Sequence, residues 1–141
     1  MVLGIAVLSA GSASADGPVQ IRSRMGDACL DAPGGNWWAA VVVNPCNGSD
    51  TQRWFFNGLQ LQNVAFGGGC LVNPQGNTMF AHLAPCTGMW NLNWHYDPNN
   101  GHYSTDPGWL CLAVLGGPGP GTWVSTRYCG DDPAQSWDIV P

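Results

Sequence analysis

One interval between a cysteine and a tryptophan occurs three times in this sequence. The segments CNGSDTQRW, CTGMWNLNW and CGDDPAQSW each place a tryptophan eight residues after a cysteine. The six cysteines are also regularly spaced, at positions 29/46, 70/86 and 111/129, so that the first members of successive pairs lie 41 residues apart. A fixed internal period of this length is typical of architectures built from repeated units. We therefore predict three units, at about 16–57, 58–97 and 98–141.

The pattern within each unit predicts short β-strands. Apolar or β-branched residues stand five and three residues before the second cysteine of each pair, which is the alternation expected of a strand. These residues are Val41 and Val43, Ala81 and Leu83, and Val124 and Thr126. The turn dipeptides Asn57-Gly58 and Asn100-Gly101 follow two of the closing tryptophans. No segment keeps a helical period beyond two turns, so we expect an all-β chain with about four strands per unit.

A three-fold arrangement with a shared core is the simplest way to pack three such units. Each unit would contribute one buried tryptophan, namely Trp54, Trp94 and Trp137. A stacked solenoid is the alternative, but solenoids need atypical capping units and these three units are alike. Six cysteines allow 15 disulfide connectivities, and the repeat symmetry favours pairing within units. The predicted bridges are Cys29–Cys46, Cys70–Cys86 and Cys111–Cys129.

The first fifteen residues, MVLGIAVLSAGSASA, have the pattern of a secretory signal peptide. An apolar run ends in Ala-Ser-Ala, which is an A-x-A cleavage pattern, and the run is shorter than the roughly 20 residues of a membrane span. No Lys or Arg lies near Met1, so either the translated start lies upstream or the n-region is atypical. We expect residues 16–141 to be a secreted domain, because paired cysteines also fit an oxidising compartment.

The charge composition restricts the partners that the chain can bind. It has nine Asp, four Arg, no Lys and no Glu, for a net charge of −5. Nucleic acids and anionic membrane surfaces are bound through basic patches, so neither is predicted as a partner. His82, His95 and His102 lack the spacing of metal ligands and are expected to be solvated, so no metal or cofactor is predicted. The oligomeric state is left open by the sequence.

The three units resemble those of the ricin B-type (R-type) lectins. Gln52-Arg53-Trp54 and Gln135-Ser136-Trp137 match the QxW signature of that family, whereas Leu92-Asn93-Trp94 keeps only the tryptophan. The resemblance covers residues 16–141 and implies a β-trefoil. The stretches ADGPVQ, CLDAP and NPCNG also resemble those of a small secreted member of the family. The resemblance therefore implies a free-standing carbohydrate-binding protein without catalytic activity.

The resemblance also implies where a sugar would bind. In the family, a binding unit has an Asp two residues after the first cysteine, a planar residue two before the second, a polar residue four before it, and Asn-Gln in the closing motif. The carboxylate and amides bind sugar hydroxyls, and the ring packs against the apolar face of the sugar. Unit one keeps Asp31 and Gln52, but has Asn44 at the planar position, and Val42 and Thr51 replace two polar residues.

Units two and three have lost the carboxylate, since Val72 and Ala113 stand in its place. We therefore predict one partly degenerate sugar site, in unit one, where either of two adjacent indoles after Asp31 would stack on the sugar. The predicted carbohydrate-binding residues are Asp31, Asn44, Gln52, Trp37 and Trp38. The alternative is that one indole plugs the barrel mouth and the other lies on the surface.

Hydrolytic activity and protein binding are the two alternatives to a carbohydrate-binding role. A glycosidase needs paired carboxylates, and nine Asp mostly in turns, without any Glu, offer no candidate pair. A serine hydrolase of the G-x-S-x-G type is not indicated, because that motif does not occur. A trefoil that binds proteins, as an inhibitor or host-directed ligand, stays open because the sugar pockets are degenerate. The identity of the sugar is not indicated.

Overall fold

The computed structural model describes residues 17–73, 80–106 and 108–141, and the predicted leader lies outside the described residues. Within them the chain forms twelve β-strands, four 3₁₀ turns and no α-helix, which confirms the all-β prediction. The strands are β1 Gln20–Ser23, β2 Ala28–Asp31, β3 Val42–Pro45, β4 Trp54–Asn57, β5 Gln60–Asn63, β6 Gly69–Val72, β7 His82–Ala84, β8 Trp94–Asp97, β9 His102–Thr105, β10 Leu110–Val114, β11 Thr122–Tyr128 and β12 Trp137–Val140. The 3₁₀ turns are Asp50–Gln52, Val64–Phe66, Trp90–Leu92 and Pro133–Gln135. In the described part of the chain, no helix is long and apolar enough to cross a membrane.

The first and last strands of the three units form a closed ring of six strands. Antiparallel ladders join β12 to β1, β4 to β5 and β8 to β9, each pair linking two successive units. Within each unit the ring is closed by the backbone N–H of the closing tryptophan, which donates to a carbonyl near the start of that unit. These contacts are Trp54 to Val19 at 2.9 Å, Trp94 to Leu59 at 2.8 Å and Trp137 to Gly101 at 2.9 Å. The same contact in every unit shows the pseudo-three-fold symmetry of a β-trefoil.

The last of these contacts explains a glycine in the predicted Asn100-Gly101 turn. Gly101 has a φ of 76°, a conformation that L side chains rarely adopt. A Cβ at this position would also lie 2.7 Å from the carbonyl oxygen of Trp137. A side chain at residue 101 would therefore push apart the two strands that close the ring in unit three.

The two middle strands of each unit form a hairpin that caps one end of the ring. The hairpins are β2–β3, β6–β7 and β10–β11. One disulfide spans each hairpin, as predicted, with the pairs Cys29–Cys46, Cys70–Cys86 and Cys111–Cys129. Around the three-fold axis the N–H of Val41 donates to Ala81 at 2.8 Å, that of Ala81 to Val124 at 2.7 Å, and that of Val124 back to Val41 at 3.3 Å. The hairpins are thus hydrogen-bonded in a closed triangle.

The core contains the three closing tryptophans, as the sequence predicted. Trp54, Trp94 and Trp137 are fully buried. Each indole N–H donates to the carbonyl of the leucine that follows the first cysteine of its unit. The distances are 2.9 Å to Leu30, 3.0 Å to Leu71 and 3.0 Å to Leu112. Because a buried donor without a partner is costly, this repeated bond lets a polar ring nitrogen lie in an otherwise apolar core.

Candidate functional site

Three of the predicted sugar-binding residues meet at one place, which we call the unit-one corner: Asp31, Asn44 and Gln52. Asp31 ends β2, and its Oδ2 accepts hydrogen bonds from Asn44 Nδ2 at 3.0 Å and from Gln52 Nε2 at 3.1 Å. Asp31 is only 4% exposed, and its Oδ1 is buried without a hydrogen-bond partner. A buried acceptor without a donor costs free energy, so a hydroxyl that reached Oδ1 would gain the most at this corner.

The amide of Gln52 has a structural role as well as a contact with Asp31. Its oxygen accepts from the backbone N–H of Asn47 at 2.8 Å, and its nitrogen also donates to the Pro45 carbonyl at 3.0 Å. Gln135 makes the same pair of backbone contacts in unit three, with Gly130 N at 2.8 Å and a carbonyl two residues before it. The glutamine therefore first fixes the turn after the second cysteine, and only in unit one does it also hold a carboxylate.

Asn44 joins the unit-one corner to a glycine- and proline-rich loop of unit three. While its Nδ2 donates to Asp31, its Oδ1 accepts from the backbone N–H of Gly121 at 2.9 Å. Gly121 also donates to the carbonyl of Val43 at 2.8 Å, so two acceptors on β3 share one N–H. The planar position of the corner is thus occupied by an amide held from both sides, where the family places a ring.

Trp37 and Trp38 make their ring contacts with unit two rather than with the carboxylate that precedes them. Trp37 packs against Phe66 at a centroid distance of 6.2 Å. It lies over Gly69, where an added Cβ would come within 2.6 Å of the indole. Trp38 packs on His82 at 4.8 Å. These ring contacts are made with residues of unit two, and stacking of either indole on a sugar at Asp31 stays a prediction.

Unit two has three apolar residues where the unit-one corner has three polar ones, and we call them the unit-two corner: Val72, Ala84 and Leu92. Each stands at the same distance from its cysteines as Asp31, Asn44 and Gln52, respectively. All three are buried and pack together. They form the inner wall of a pocket of about 340 Å³, which we call the unit-two pocket.

Two segments, a loop of unit one and residues 85–91, supply the remaining described lining of the unit-two pocket. Trp38 reaches it from the loop of unit one, and Met89 comes from the loop after Cys86; both are exposed. Pro85, Thr87 and Asn91 are the other described residues of the lining, and none of the lining residues that the structure describes is charged. The arrangement can accept an apolar group and offers few hydrogen-bonding atoms.

His82 lies beneath the indole of Trp38 and is not solvated, so the sequence-based prediction for this histidine was wrong. It is 9% exposed, and its Nε2 is buried without a hydrogen-bond partner. Burial lowers the pKa of the His82 imidazole, because desolvation disfavours its charged form. His82 is therefore neutral at neutral pH. The sequence did not reveal this, because the burial depends on an indole from another unit.

The corresponding positions in unit three do not form a comparable site. Ala113 is buried at the carboxylate position, and Arg127 stands at the planar position. The guanidinium of Arg127 donates to the carbonyl of Thr126 at 2.8 Å. Gln135 keeps its backbone contacts without a carboxylate to bind.

Sequence reasoning identified the unit-one corner but missed the unit-two pocket. The sequence shows Val72 in place of the carboxylate and Leu92 in place of the closing glutamine, and this loss predicts no sugar site in unit two. The signal that could have found the pocket is that all three corner positions change to apolar residues together. The contributions of Trp38 and Met89 could not be found from local spacing, since they come from loops of different units.

The sequence and the fold both match known proteins. The profile of the ricin-type beta-trefoil lectin domain matches residues 17–138. Uncharacterized proteins of Mycobacterium tuberculosis and Mycobacterium bovis are each 53% identical over 142 residues, an alignment that covers 99% of this chain and 88% of theirs.

Two solved structures show the same fold at low sequence identity. The C-terminal half of an earthworm R-type lectin, crystallised with GalNAc, has a TM-score of 0.77 and 12% identity, covering 88% of this chain and 98% of that one. A designed three-fold symmetric protein, ThreeFoil, has a TM-score of 0.75 and 19% identity, with coverage of 89% and 99%. Together with the repeated tryptophan and cysteine contacts, the matched profile shows that the chain belongs to the ricin-type β-trefoil lectin family.

Proposed function

We propose that this protein is a secreted, non-catalytic lectin with a single sugar site at the unit-one corner. The observation that carries the proposal is the buried Oδ1 of Asp31, which has no hydrogen-bond partner although Oδ2 has two. A carboxylate accepts charge-assisted hydrogen bonds from hydroxyls, which are the groups that a sugar presents in adjacent pairs.

Asn44 would act both as a contact and as a competitor at this site. In the free protein its Nδ2 already donates to Oδ2 of Asp31, so the second of two adjacent hydroxyls would compete with this bond while the first binds Oδ1. The backbone N–H of Gly121 holds the Asn44 oxygen, and a sugar that displaced the amide would also loosen this link to unit three. Binding by one such site is expected to be weak, so strong attachment would need clustering, which raises apparent affinity by about 10² or more.

A glycan array provides the test of this function. Residues 16–141 should bind a defined set of glycans, and Asp31→Asn should weaken binding of the best one by about ten- to a hundredfold, because a charge-assisted bond is lost. Asp31→Ala should do the same. The matched control is Asp27→Asn, which changes an exposed Asp four residues earlier and should leave the array unchanged. Full binding by Asp31→Asn would remove the site from unit one.

The absence of catalysis and the export of the chain are part of the same proposal. The family match and the lack of glutamate support a binding role, and an assay against glycoside substrates should show no turnover. Amino-terminal sequencing of protein recovered from a culture medium should begin at or near Asp16, after the predicted cleavage site. If the protein stays inside the cells with its first fifteen residues still attached, the proposed export is wrong.

The alternative is a trefoil that binds a protein independently of sugar. Two exposed aromatic side chains favour it, since Trp109 and Tyr128 are 70% and 80% exposed, and aromatic residues are enriched at protein interfaces. A blank glycan array, followed by loss of partner binding in Trp109→Ala, would support this alternative over the lectin.

A further inference from the structure

We propose that the unit-two pocket is a second ligand site, which takes a neutral hydroxylated aliphatic molecule with its alkyl chain in the pocket and its hydroxyl at Asn91. The site is separate from the proposed sugar site, because none of the unit-one corner residues lines it. Its ligand also differs from a sugar at Asp31, because most of the lining is apolar and suits an alkyl chain.

The inner wall determines the preference for an alkyl chain. Val72, Ala84 and Leu92 are buried and apolar, and Pro85 extends the same surface. A hydroxyl-rich ligand would lose its bonds to water here without finding replacements, which is costly. An alkyl chain loses nothing of this kind, and each methylene moved from water to such a wall strengthens binding about fourfold.

The rim is built from two side chains that the rest of the fold leaves uncovered. Trp38 is 63% exposed and Met89 is also exposed, so an alkyl chain between them would remove apolar surface from water. The backbone that carries the indole is strained, since Trp38 has a φ of 73°. It is fixed by a hydrogen bond from the Trp38 N–H to the Leu83 carbonyl at 3.1 Å. Strained backbone of this kind persists only where the surrounding structure fixes it, and it occurs preferentially at binding sites. The neutral ring of His82 beneath the indole adds no charge to the rim.

One polar side chain of the lining accounts for the hydroxyl. Asn91 lines the pocket, and its Oδ1 is buried without a hydrogen-bond partner. Its backbone carbonyl accepts from Asn73 N at 2.9 Å, so the main chain at this residue is fixed while the side-chain acceptor is unsatisfied. A hydroxyl donor would satisfy that acceptor, whereas an ether of the same size would not.

The probes are butan-1-ol, pentan-1-ol and hexan-1-ol, titrated into the folded protein with methyl-labelled methionine and followed by NMR. The Met89 methyl signal should shift and saturate, and the dissociation constant should fall about fourfold per added methylene. Met25, which is partly buried against the main core, should not shift. Methyl pentyl ether, an isomer of hexan-1-ol without a donor, should bind more weakly, and Asn91→Leu should abolish this difference.

Variants locate the site and keep the test independent of folding. Trp38→Ala should weaken hexan-1-ol binding roughly tenfold, because one wall of the pocket is lost, while Trp109→Ala removes an equally exposed indole elsewhere and should change nothing. Val72→Thr replaces a methyl group by a hydroxyl of similar size in the inner wall and should weaken binding at an almost unchanged shape. Thermal melting of each variant confirms that it is folded.

The two proposals fail in different ways. The alcohol site is overturned if the Met89 signal does not saturate, if affinity is independent of chain length, or if Trp109→Ala weakens binding as much as Trp38→Ala does. It is also overturned if methyl α-glucopyranoside shifts Met89 as strongly as hexan-1-ol. A failed glycan array leaves all of these results unaffected, and the Asp31 variants should bind hexan-1-ol as the wild type does.

Discussion

The corners of units one and two occupy equivalent places in the trefoil and have opposite chemistry. In unit one, Asp31, Asn44 and Gln52 are tied together by hydrogen bonds. In unit two, Val72, Ala84 and Leu92 form a small apolar cluster that lines a pocket. Beneath each corner the closing tryptophan of that unit donates to the carbonyl of the equivalent leucine, Trp54 to Leu30 at 2.9 Å and Trp94 to Leu71 at 3.0 Å.

The comparison of the two corners shows that the corner residues differ as a set, whereas the core beneath them is the same. A single polar residue among apolar neighbours would leave a buried group without a partner, which is costly. Replacing a whole buried polar group by apolar residues of suitable shape is often nearly neutral. Each corner is therefore self-consistent, and a mixture of the two would be less stable than either.

Truncation of a closing tryptophan tests whether the cores of the units are equivalent, and it should have the largest effect on stability. Trp54→Ala and Trp94→Ala should each lower the free energy of unfolding by about 3–5 kcal/mol, the usual range for truncating a buried aromatic side chain. Urea titration followed by circular dichroism measures both. Near-equal losses would place the difference between the units at their corners, whereas very different losses would show that it reaches the core.

The next effect tests the polar corner by giving unit one a residue from unit two. Gln52→Leu should cost about 1.5–3 kcal/mol beyond the loss of its two backbone contacts, because it also removes a hydrogen bond to a charged group. Gln135→Leu is the matched control in unit three, since it breaks the same backbone contacts where no carboxylate is present. The difference between the two unfolding free energies gives the contribution of the bond to Asp31, and equal costs would mean that the bond contributes nothing.

A triple substitution extends this test to the whole corner. Asp31→Val, Asn44→Ala and Gln52→Leu together convert the unit-one corner into that of unit two. We expect the triple variant to be more stable than Gln52→Leu alone, since it leaves no carboxylate behind. Additive losses from the three changes would contradict the view that the corner acts as a set.

The backbone strain at Trp38, on the rim of the unit-two pocket, should have a smaller effect on stability. It is measured as the difference in unfolding free energy between two variants. Trp38→Gly and Trp38→Ala both remove the indole, but only glycine adopts a φ of 73° without cost. The glycine variant should therefore be the more stable by about 1 kcal/mol. At Trp37, which has no positive φ, the order should be reversed. An alanine variant that is at least as stable as the glycine variant at position 38, as expected at Trp37, would show that Trp38 is not strained.

The sequence was sufficient for the fold and for the unit-one corner because both follow from spacing. The interval between cysteine and tryptophan recurs, so pairing within units and burial of Trp54 could be predicted. Contacts between units could not be predicted in this way, since they depend on where the loops lead after they leave their hairpins. Trp38 shows this most clearly: seven residues after Asp31, a left-handed residue directs its indole onto unit two.

The pH dependence of stability should show the smallest effect, and it arises at the position four residues before the second cysteine of a unit. Unit one has Val42 there and unit two has His82. Burial lowers the pKa of His82 from its ordinary value of 6.5, so the folded protein binds fewer protons here than the unfolded chain does. Stability is therefore unaffected well above pH 6.5 and falls as the pH decreases below that value towards the pKa of the folded state. His82→Val gives unit two the non-titrating side chain of unit one and should flatten the melting temperature between about pH 5 and 7 relative to the wild type. The two proteins differ only at residue 82, so the difference between the two melting curves isolates His82. If the melting temperatures of the two proteins change with pH in parallel, the difference between units one and two does not extend to this position. The ring beneath Trp38 would then accept a proton as readily as a solvated imidazole does.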